Sequence, residues 1–340
     1  MLVQKPELLF GLPPKPKILL LRYDKIGDVL ISVPVFRILK RHFPEAQIDV
    51  LLSRDNIGGR TAIEQYVHEV VTFSEQKAKL LPLLLQLRFR QYNVIIDLFD
   101  QFSTTSARMV KLLNPHNSVG IALEYLPQYT HVAEPLGRQS RHIVDRTVRV
   151  LLPFGIDPEM EKLELEYPLK KEEIAQATEL LKNFRTDGKI LLGINPAGSH
   201  EHRYWGGSNF VDFLNAIGKD FHNVVPLLFT PPGYEAEVQQ IALITGAAVA
   251  PKSKSFHDFA ALLHECDAIF TPDTSVVHLA AAFKKPTVAL FSNAARASHG
   301  IPWLPYNTPH VALETNNPAI SSIAVDSAIF ALKKLITTYF

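Results

Sequence analysis

Residues 267–292 constrain the fold of this chain more strongly than any other stretch. A short apolar run ends at Phe270, a polar break follows, residues 276–283 have helical composition, and a second apolar run covers residues 287–291. A strand, a tight loop, a helix and a second strand in this order form the unit of a parallel sheet, which directs a helix N-terminus at whatever lies above the sheet. Such a helix end favours a phosphate group.

Three polar residues lie where this unit would meet a ligand. Asp273 and Thr274 stand at the expected N-cap position, and His278 follows about one helical turn later. All three side chains can face one ligand. In the alternative interpretation, Asp273 or Thr274 only caps the helix and His278 is a half-buried histidine with no ligand.

The same unit is predicted near the N-terminus. Residues 17–22 have the pattern of a buried parallel strand, residues 23–28 form the loop above it, residues 29–42 follow a helical period, and residues 47–52 form the next strand. This β-α-β start places the loop around Asp28 at the carboxyl end of the first strand, which is the usual ligand edge of an open α/β sheet.

The rest of the first half predicts two further strands and a crossover helix. The strands cover residues 69–73 and 93–99, and a polar loop follows the second one. The Leu-rich residues 76–90 between them are assigned to the helix, with a membrane-surface role as the alternative. Residues 114–141 show no clear periodicity and are expected to be irregular.

The second half opens with another strand, loop and helix. Residues 190–194 form the strand, residues 195–205 a small-residue and aromatic loop, and residues 209–217 the helix. This is a second place for phosphate or ribose. After the next strand, over residues 224–229, an acid in the loop can accept both ribose hydroxyl groups, and Glu235 is preferred to Glu237 for that role.

Length and charge distribution predict two domains of different electrostatic character. With 340 residues the chain has about two domains, and we place their junction near residues 167–188. Residues 1–150 contain 20 Lys and Arg against 14 Asp and Glu, or +6, whereas the remaining residues contain 15 against 20, or −5. We expect the first half to attract an acidic partner, with a solvated surface as the alternative. Basic runs with interleaved aromatics are absent, so no nucleic-acid partner is expected.

Cysteine usage and hydropathy favour a cytoplasmic protein. The single cysteine, Cys266, forbids an internal disulfide, and no apolar run is long enough to span a membrane. The N-terminal residues lack the pattern of a secretory leader. No metal site is expected, because the only close histidine pair, His200 and His202, has no supporting cysteine or paired carboxylates.

Three motifs in the sequence resemble one enzyme family. D-T-S-x-x-H-L-A-A-A over residues 273–282 resembles the C-terminal pattern D-T-G-x-x-H-L-A-A-A of glycosyltransferase family 9, the lipopolysaccharide heptosyltransferases, with Ser275 in place of the glycine. R-x-x-x-I-G-D over residues 22–28 resembles the opening of the same family, as does H-x-x-D-R over residues 142–146. The motifs at residues 22–28 and 273–282 lie roughly 245 residues apart and in the expected order.

The resemblance implies a GT-B fold, with two doubly wound Rossmann-like domains that face each other across a cleft. Residues 1–166 would form the acceptor-binding domain, residues 167–188 a linker, and residues 189–320 the nucleotide-sugar-binding domain. Residues 321–340 would form a C-terminal helix that packs back on the first domain.

The activity it implies is an inverting, metal-independent transfer of a heptose from ADP-heptose to the inner core of lipopolysaccharide. The donor is a substrate and no cofactor is expected. The acceptor is an acidic glycolipid, which implies peripheral contact with the inner face of the cytoplasmic membrane. Three alternatives stay open: another nucleotide sugar or glycan acceptor, a nucleotide-sugar epimerase, and a non-catalytic nucleotide-sugar-binding protein.

The resemblance also implies roles for individual residues. Asp28 stands at the position of the catalytic aspartate in I-G-D, where a carboxylate can take the proton of the acceptor hydroxyl; a helix-capping role and the nearby Asp24 are the alternatives. Arg203 replaces the lysine of the family pattern K-x-W-P, and Gly206 replaces its proline. The expected donor-binding residues are Ser199, Arg203, Glu235, Asp273, Thr274, Ser275 and His278. The expected acceptor-binding residues are Arg22, Lys25, Asp100, Ser103 and Arg108.

Overall fold

Each half of the chain folds around a six-stranded parallel sheet. The computed structural model describes residues 11–73, 77–101 (for 77–79, the backbone), 103–121, 129–137, 140–196, 198, 200–294 and 303–340. The chain divides into two compact units, Met1–Leu165 and Glu166–Phe340. None of the helices in these described ranges is long and apolar enough to cross a bilayer.

The first unit alternates strands and helices. Its strands are β1 (Lys17–Leu21), β2 (Gln47–Ser53), β3 (Glu69–Phe73), β4 (Val94–Asp97), β5 (Asn117–Gly120) and β6 (His131–Val132). Its helices are α1 (Ile26–His42), α2 (Lys77–Phe89), α3 (Thr104–Leu113) and the short α4 (Ile143–Thr147), and 3-10 helices cover Ile57–Ala62, Glu64–Tyr66, Val148–Phe154 and Pro158–Met160.

The second unit repeats this pattern. Its strands are β7 (Ile190–Ile194), β8 (Val224–Leu228), β9 (Ala248–Val249), β10 (Ala268–Pro272), β11 (Thr287–Ser292) and β12 (His310–Thr315). Its helices are α5 (Lys171–Leu181), α6 (Gly207–Asp220), α7 (Glu235–Thr245), α8 (Phe256–His264), α9 (Ser275–Ala282) and α10 (Val325–Tyr339), with 3-10 helices at Glu201–Arg203 and Ile320–Ser322.

Both sheets have the same strand order. The order is β3-β2-β1-β4-β5-β6 in the first unit and β9-β8-β7-β10-β11-β12 in the second. Chain order therefore reverses between β1 and β4 and again between β7 and β10, and ligands of open α/β sheets bind at the carboxyl ends of strands at such a reversal. The two loop pairs singled out from the sequence follow these four strands.

Apolar side chains on both faces of the central strands explain why these segments form parallel sheets. Ile18, Leu19, Leu20 and Leu21 in β1 are fully buried, as expected for a strand covered by helices on both sides. The second unit has an aromatic core in which Trp205 packs edge-on against Phe210 and donates its indole N–H to Ile323 O at 2.9 Å. Phe270 of β10 belongs to the same cluster.

Four strands were missed by the sequence analysis. β5 and β6 lie within the stretch that was expected to be irregular, and β9 and β12 were not predicted. β6 and β9 have two residues each, which is too short for a period-2 pattern, and β12 lies at a sheet edge and has no fully buried side chain. Edge strands carry less of the apolar signal because one side faces solvent.

The C-terminal helix α10 packs within the second unit. Its buried face carries Ala328, Ala331, Leu332 and Leu335, all in the cluster around β11 and α6. The predicted packing of this helix on the first domain stays a prediction.

Candidate active site

Two loops of the second unit meet at the carboxyl edge of its sheet. β7 and β10 are neighbours in register, with Ile194 opposite Phe270. The chain leaves β7 into residues 195–203 and leaves β10 into Asp273, so both polar loops start at the same point of the edge. Asn195 joins them, because its Nδ2 donates to Thr271 Oγ1 at 3.1 Å and to Thr274 Oγ1 at 3.3 Å. Asn195 was not among the predicted site residues, although a polar residue directly after a buried strand is the signal that could have identified it.

Thr274 begins helix α9 as its N-cap. Its Oγ1 accepts the Val276 N–H at 3.2 Å, which is the capping role weighed from the sequence. Asp273, Thr274 and Ser275 are half-buried, so the N-terminal end of the helix reaches the surface. A cap satisfies only part of the unpaired N–H groups of a first turn and leaves the positive end of the helix dipole in place. The end of α9 can therefore attract an anion.

Arg203 lies beside this helix end. Its Nη1 donates to Asp273 O at 2.9 Å, and its Nη2 lies 3.5 Å from Asp273 Oδ2. The Nε atom is buried and has no hydrogen-bond partner among the described residues. The side chain keeps 32% exposure. A guanidinium that is held beside a helix N-terminus and is still partly exposed is suited to an oxyanion such as a phosphate.

Glycines explain how the β7 loop comes so close to α9. A Cβ atom on Gly198 would lie 2.9 Å from Thr274 Cγ2 and 3.0 Å from Arg203 Cβ, so a side chain there would push the two apart. Gly206, which begins α6, has φ +108°, a region that proline cannot adopt. This backbone explains why the chain has glycine where the resembled pattern has proline.

The remaining predicted donor residues have different surroundings. His278 is only 3% exposed, and its ring lies 5.8 Å from that of Trp303 between centroids. Glu235 is exposed, and its Oε2 accepts the Gly233 N–H at 2.9 Å, which closes the turn before α7. Glu237 accepts the hydroxyl of Tyr204 instead. Ser199 lies outside the described residues.

In the first unit, Arg22 organises the loop above β1. It is 3% exposed and donates to Asp28 O and to Leu98 O, both at 2.9 Å. Since Leu98 directly follows β4, Arg22 joins the two loops at this carboxyl edge. A guanidinium buried in this way positions the loops, whereas the side chain of Lys25 on the same loop is exposed.

The carboxylate of Asp28 is held at two points. Oδ1 lies 3.4 Å from Arg22 Nη2, and Oδ2 accepts the Lys25 N–H at 3.0 Å. The second contact is the N-terminal capping role that was weighed from the sequence. The side chain keeps 16% exposure, so the carboxylate is fixed in direction and still accessible.

Two neighbouring carboxyl groups have strongly raised pKa values. Burial, followed by the charges of Asp28, Asp97 and Asp100, raises the pKa of Asp24 to about 7, although Arg22 opposes the shift. Asp24 lies 4.0 Å from Arg22 Nη1 and is 39% exposed. Burial also raises the pKa of Asp97, at the end of β4, to about 6. Perturbed carboxyl groups of this kind cluster at functional sites.

The other predicted acceptor residues follow β4. Asp100 pairs with the buried Arg146 of α4. Ser103 caps α3 by accepting the Ser106 N–H at 3.1 Å, and its Oγ also contacts the hydroxyl of Tyr23 at 3.1 Å. Asp100 and Ser103 thus lie on the same edge as Asp28, whereas Arg108 lies further along α3 on its exposed face.

One group of side chains resembles a metal-ligand cluster, and a cation lies beside it; the histidine pair weighed from the sequence is a separate feature. In the described part of the chain, Asp49, His68 and Glu69 offer three ligand atoms within 4.8 Å of one another. Arg90 donates to both carboxylate oxygens of Glu69, at 2.7 and 2.9 Å, and so already neutralises this cluster. The rings of His200 and His202 stack at 5.3 Å, and burial and the Arg203 charge lower the pKa of His202.

Comparison with known proteins gives consistent matches. Residues 81–324 match the family described as "Glycosyltransferase family 9 (heptosyltransferase)". A relative in Escherichia coli, "Lipopolysaccharide heptosyltransferase 3", is 27% identical over 308 residues, which cover 83% of this chain and 84% of the relative.

Solved structures are similar over nearly the whole chain. A glycosyltransferase family 9 structure from Veillonella parvula has a TM-score of 0.77 at 19% identity and covers 95% of this chain and 97% of its own. The E. coli heptosyltransferase WaaC with ADP has a TM-score of 0.70 at 16% identity, with 94% and 98% covered. Together with the two parallel six-stranded sheets, these likenesses confirm the predicted GT-B fold class.

Proposed function

Because the chain belongs to glycosyltransferase family 9, we propose that it is an inverting, metal-independent enzyme that transfers a heptose from ADP-heptose to the inner core of lipopolysaccharide. The observation that carries the proposal is the anion site at the β7–β10 edge. There, the guanidinium of Arg203 donates to Asp273 O directly before α9, so a cation is held beside the N-terminus of the helix. The names of the relatives support the sugar and the acceptor.

We assign the diphosphate of the donor to Thr274, Ser275 and Arg203. The N–H groups at the start of α9 would bind the phosphate oxygens, and the guanidinium would neutralise the charge that grows as the leaving group departs. Asp273 and His278 are assigned to the sugar end, with Ser199 and Glu235 as further donor residues. Asp273 fits this assignment because its backbone carbonyl and its carboxylate contact Nη1 and Nη2 of Arg203, which places Asp273 next to the proposed diphosphate site.

We assign the proton transfer to Asp28. In a single displacement, the acceptor hydroxyl oxygen bonds to the anomeric carbon, the bond from that carbon to the diphosphate breaks, and the hydroxyl proton moves to a carboxylate. Asp28 is supported by its accessible and fixed carboxylate. Gly27 before it gives a substrate room to approach. Arg22 then acts as a positioning residue, while Lys25, Asp100, Ser103 and Arg108 are proposed to contact the acceptor.

Asp24 is the competing base, and a specific observation favours it. A general base works best with a pKa near the working pH, and the pKa of Asp24 is raised to about 7. The Asp28 carboxylate, by contrast, is already engaged by the Lys25 N–H as well as by Arg22. The two assignments differ in the residue whose loss abolishes turnover.

The place of action that fits this activity is the inner face of the cytoplasmic membrane. The acceptor would be an acidic glycolipid, and the excess of +6 in residues 1–150 supports attraction to it. We therefore propose a cytoplasmic enzyme that contacts this membrane peripherally, without nucleic-acid partners.

One experiment separates this function from its alternatives. Purified protein is incubated with ADP-heptose and with other nucleotide sugars, each with and without deacylated inner-core acceptor, and the released nucleotide is identified. We expect ADP release from ADP-heptose only when the acceptor is present. Release from another donor would change the sugar assignment, turnover without acceptor would indicate an epimerase, and donor binding without any turnover would indicate a binding protein.

A further inference from the structure

The outward face of helix α2 carries large apolar side chains. Leu81, Leu85 and Phe89 recur at positions i, i+4 and i+8, which brings them onto one side of a helix. They are 54%, 42% and 84% exposed. Contiguous apolar side chains exposed in this way mark an interaction surface.

The opposite side of α2 already supplies the packing that the fold requires. Leu84 and Leu87 are 5% and 0% exposed and belong to one cluster with Met109 and Val110 of α3. A surface helix normally needs only one apolar stripe. The second stripe of α2 is therefore not explained by the core of the first unit.

The charged residues of α2 and of the neighbouring α3 have a single sign. The sequences of α2 and α3 contain no Asp or Glu, and their basic residues are Lys77, Lys79, Arg88, Arg108 and Lys111. Arg88, Arg108 and Lys111 are exposed. Arg88 Nη1 also donates to Leu112 O at 2.7 Å, which ties the end of α2 to the end of α3.

We propose that Leu81, Leu85 and Phe89, together with the exposed cations of α2 and α3, form a surface that binds a bilayer containing anionic lipids. The apolar side chains would enter the boundary between head groups and acyl chains, and the cations would pair with the head groups. Helices that lie in a membrane interface combine an apolar stripe with Lys and Arg in this manner. A protein partner that carries both positive and negative surface charges would not explain why two neighbouring helices contain no carboxylate.

The test measures binding of the full chain to vesicles, with neither donor nor acceptor present. The unmodified protein should sediment with vesicles of phosphatidylethanolamine and phosphatidylglycerol, bind weakly to vesicles of phosphatidylcholine alone, and detach as the salt concentration rises. The triple variant Leu81→Ser, Leu85→Ser, Phe89→Ser should lose about tenfold or more in vesicle partitioning. Arg88→Gln with Lys111→Gln should lose roughly fivefold for each cation.

Matched controls keep the result specific to this surface. Leu243 on α7 and Phe330 on α10 are 86% and 70% exposed apolar residues of the second unit, and their replacement by serine should leave partitioning unchanged. Thermal unfolding of every variant verifies that the protein is folded, which is expected because all three residues of the stripe are exposed.

Three outcomes overturn the proposal. The first is that the unmodified protein does not bind anionic vesicles. The second is that the folded triple variant binds these vesicles with the same affinity as the unmodified protein. The third is a dimer of the unmodified protein in solution that becomes a monomer in the triple variant, which would make the stripe a contact between two copies. Because the assay contains no sugar substrate, each of these results leaves the proposed transferase activity to be judged separately.

Discussion

Replacement of Asp28 by asparagine tests the proposed general base. The structure allows the effect on turnover and on stability to be worked out. If Asp28 takes the acceptor proton, the variant should lose about 10²–10⁴-fold in turnover at every acceptor concentration. Donor affinity should be unchanged, because the anion site at α9 belongs to another sheet. Turnover is measured as nucleotide release, and ADP affinity by calorimetry.

The same substitution should lower stability slightly. The amide oxygen of asparagine can still accept the Lys25 N–H, so the contact to the start of α1 survives. The charge that faces the buried Arg22 is lost, and the contact is long at 3.4 Å, so we expect a cost of about 1.5 kcal/mol, at the low end for a charged hydrogen bond. At about 2–4 °C per kcal/mol, the melting temperature should fall by roughly 3–6 °C.

A surface carboxylate provides the control for this experiment. Asp55 follows β2 and is exposed, so Asp55→Asn should change neither turnover nor melting temperature. Turnover of Asp28→Asn within a few-fold of the unmodified protein would refute the assignment. The base would then be sought at Asp24, whose replacement by asparagine should in that case abolish turnover.

Three further predictions follow from single contacts. The pKa of Asp24 is raised to about 7 in the folded state, so the folded protein binds more protons than the unfolded chain between about pH 4 and 7. Asp24 therefore makes the free energy of unfolding fall as the pH rises through this range. Asp24→Asn should flatten this part of the plot of melting temperature against pH. Arg203→Ala should weaken ADP binding about tenfold or more in calorimetry, with Arg203→Lys intermediate, and equal affinities would remove Arg203 from the anion site. A Cβ on Gly193 would lie 2.8 Å from Cys266 Sγ, so Gly193→Ala should cost about 1–3 kcal/mol in denaturant unfolding, and adding Cys266→Ala should recover part of that loss unless the backbone has shifted.

The sequence predicted most of what places the two candidate loops. Apolar runs indicated β1, β2, β3, β7, β10 and β11 to within one or two residues, because strands buried on both faces have a continuous apolar pattern. These strands include three of the four that border the points of strand-order reversal, and the fourth, β4, was predicted two residues too long at its carboxyl end. The apolar pattern alone is therefore enough to locate the loops that follow these strands.

Contacts within the site could not be predicted in the same way. Burial of Arg22 depends on the pairing of β1 with β4, which brings Leu98 O within hydrogen-bond distance of the guanidinium. No local sequence pattern predicts that pairing. The packing of His278 near Trp303 and the link from Asn195 to Thr274 likewise join residues far apart in the chain. The raised pKa of Asp24 arises in part from carboxyl groups supplied by two different loops.

The two carboxyl edges share one topology and differ in the charged groups that they carry, and this difference is our reason for placing the diphosphate at the second edge. The edge at β1 and β4 collects Asp24, Asp28, Asp97 and Asp100, whereas the edge at β7 and β10 has the pair of Arg203 with Asp273 and the positive end of α9. Arg22 and Arg146 pair with some of these acids, but four carboxyl groups against two buried cations disfavour a diphosphate, and the charges of Asp28, Asp97 and Asp100 are one cause of the raised pKa of Asp24.

Net charge alone would place the diphosphate in the first unit, because residues 1–150 are the positive half of the chain. Its excess of +6 lies partly on α2 and α3, which contain five basic residues and no acid, and those helices flank the sheet instead of closing its carboxyl edge. We therefore base the proposed ligand of each unit on the local charge at its strand ends, and the proposed membrane surface on the charge of the flanking helices. On this reasoning we assign proton transfer to the first unit, the diphosphate to the second, and the lipid surface to α2 and α3.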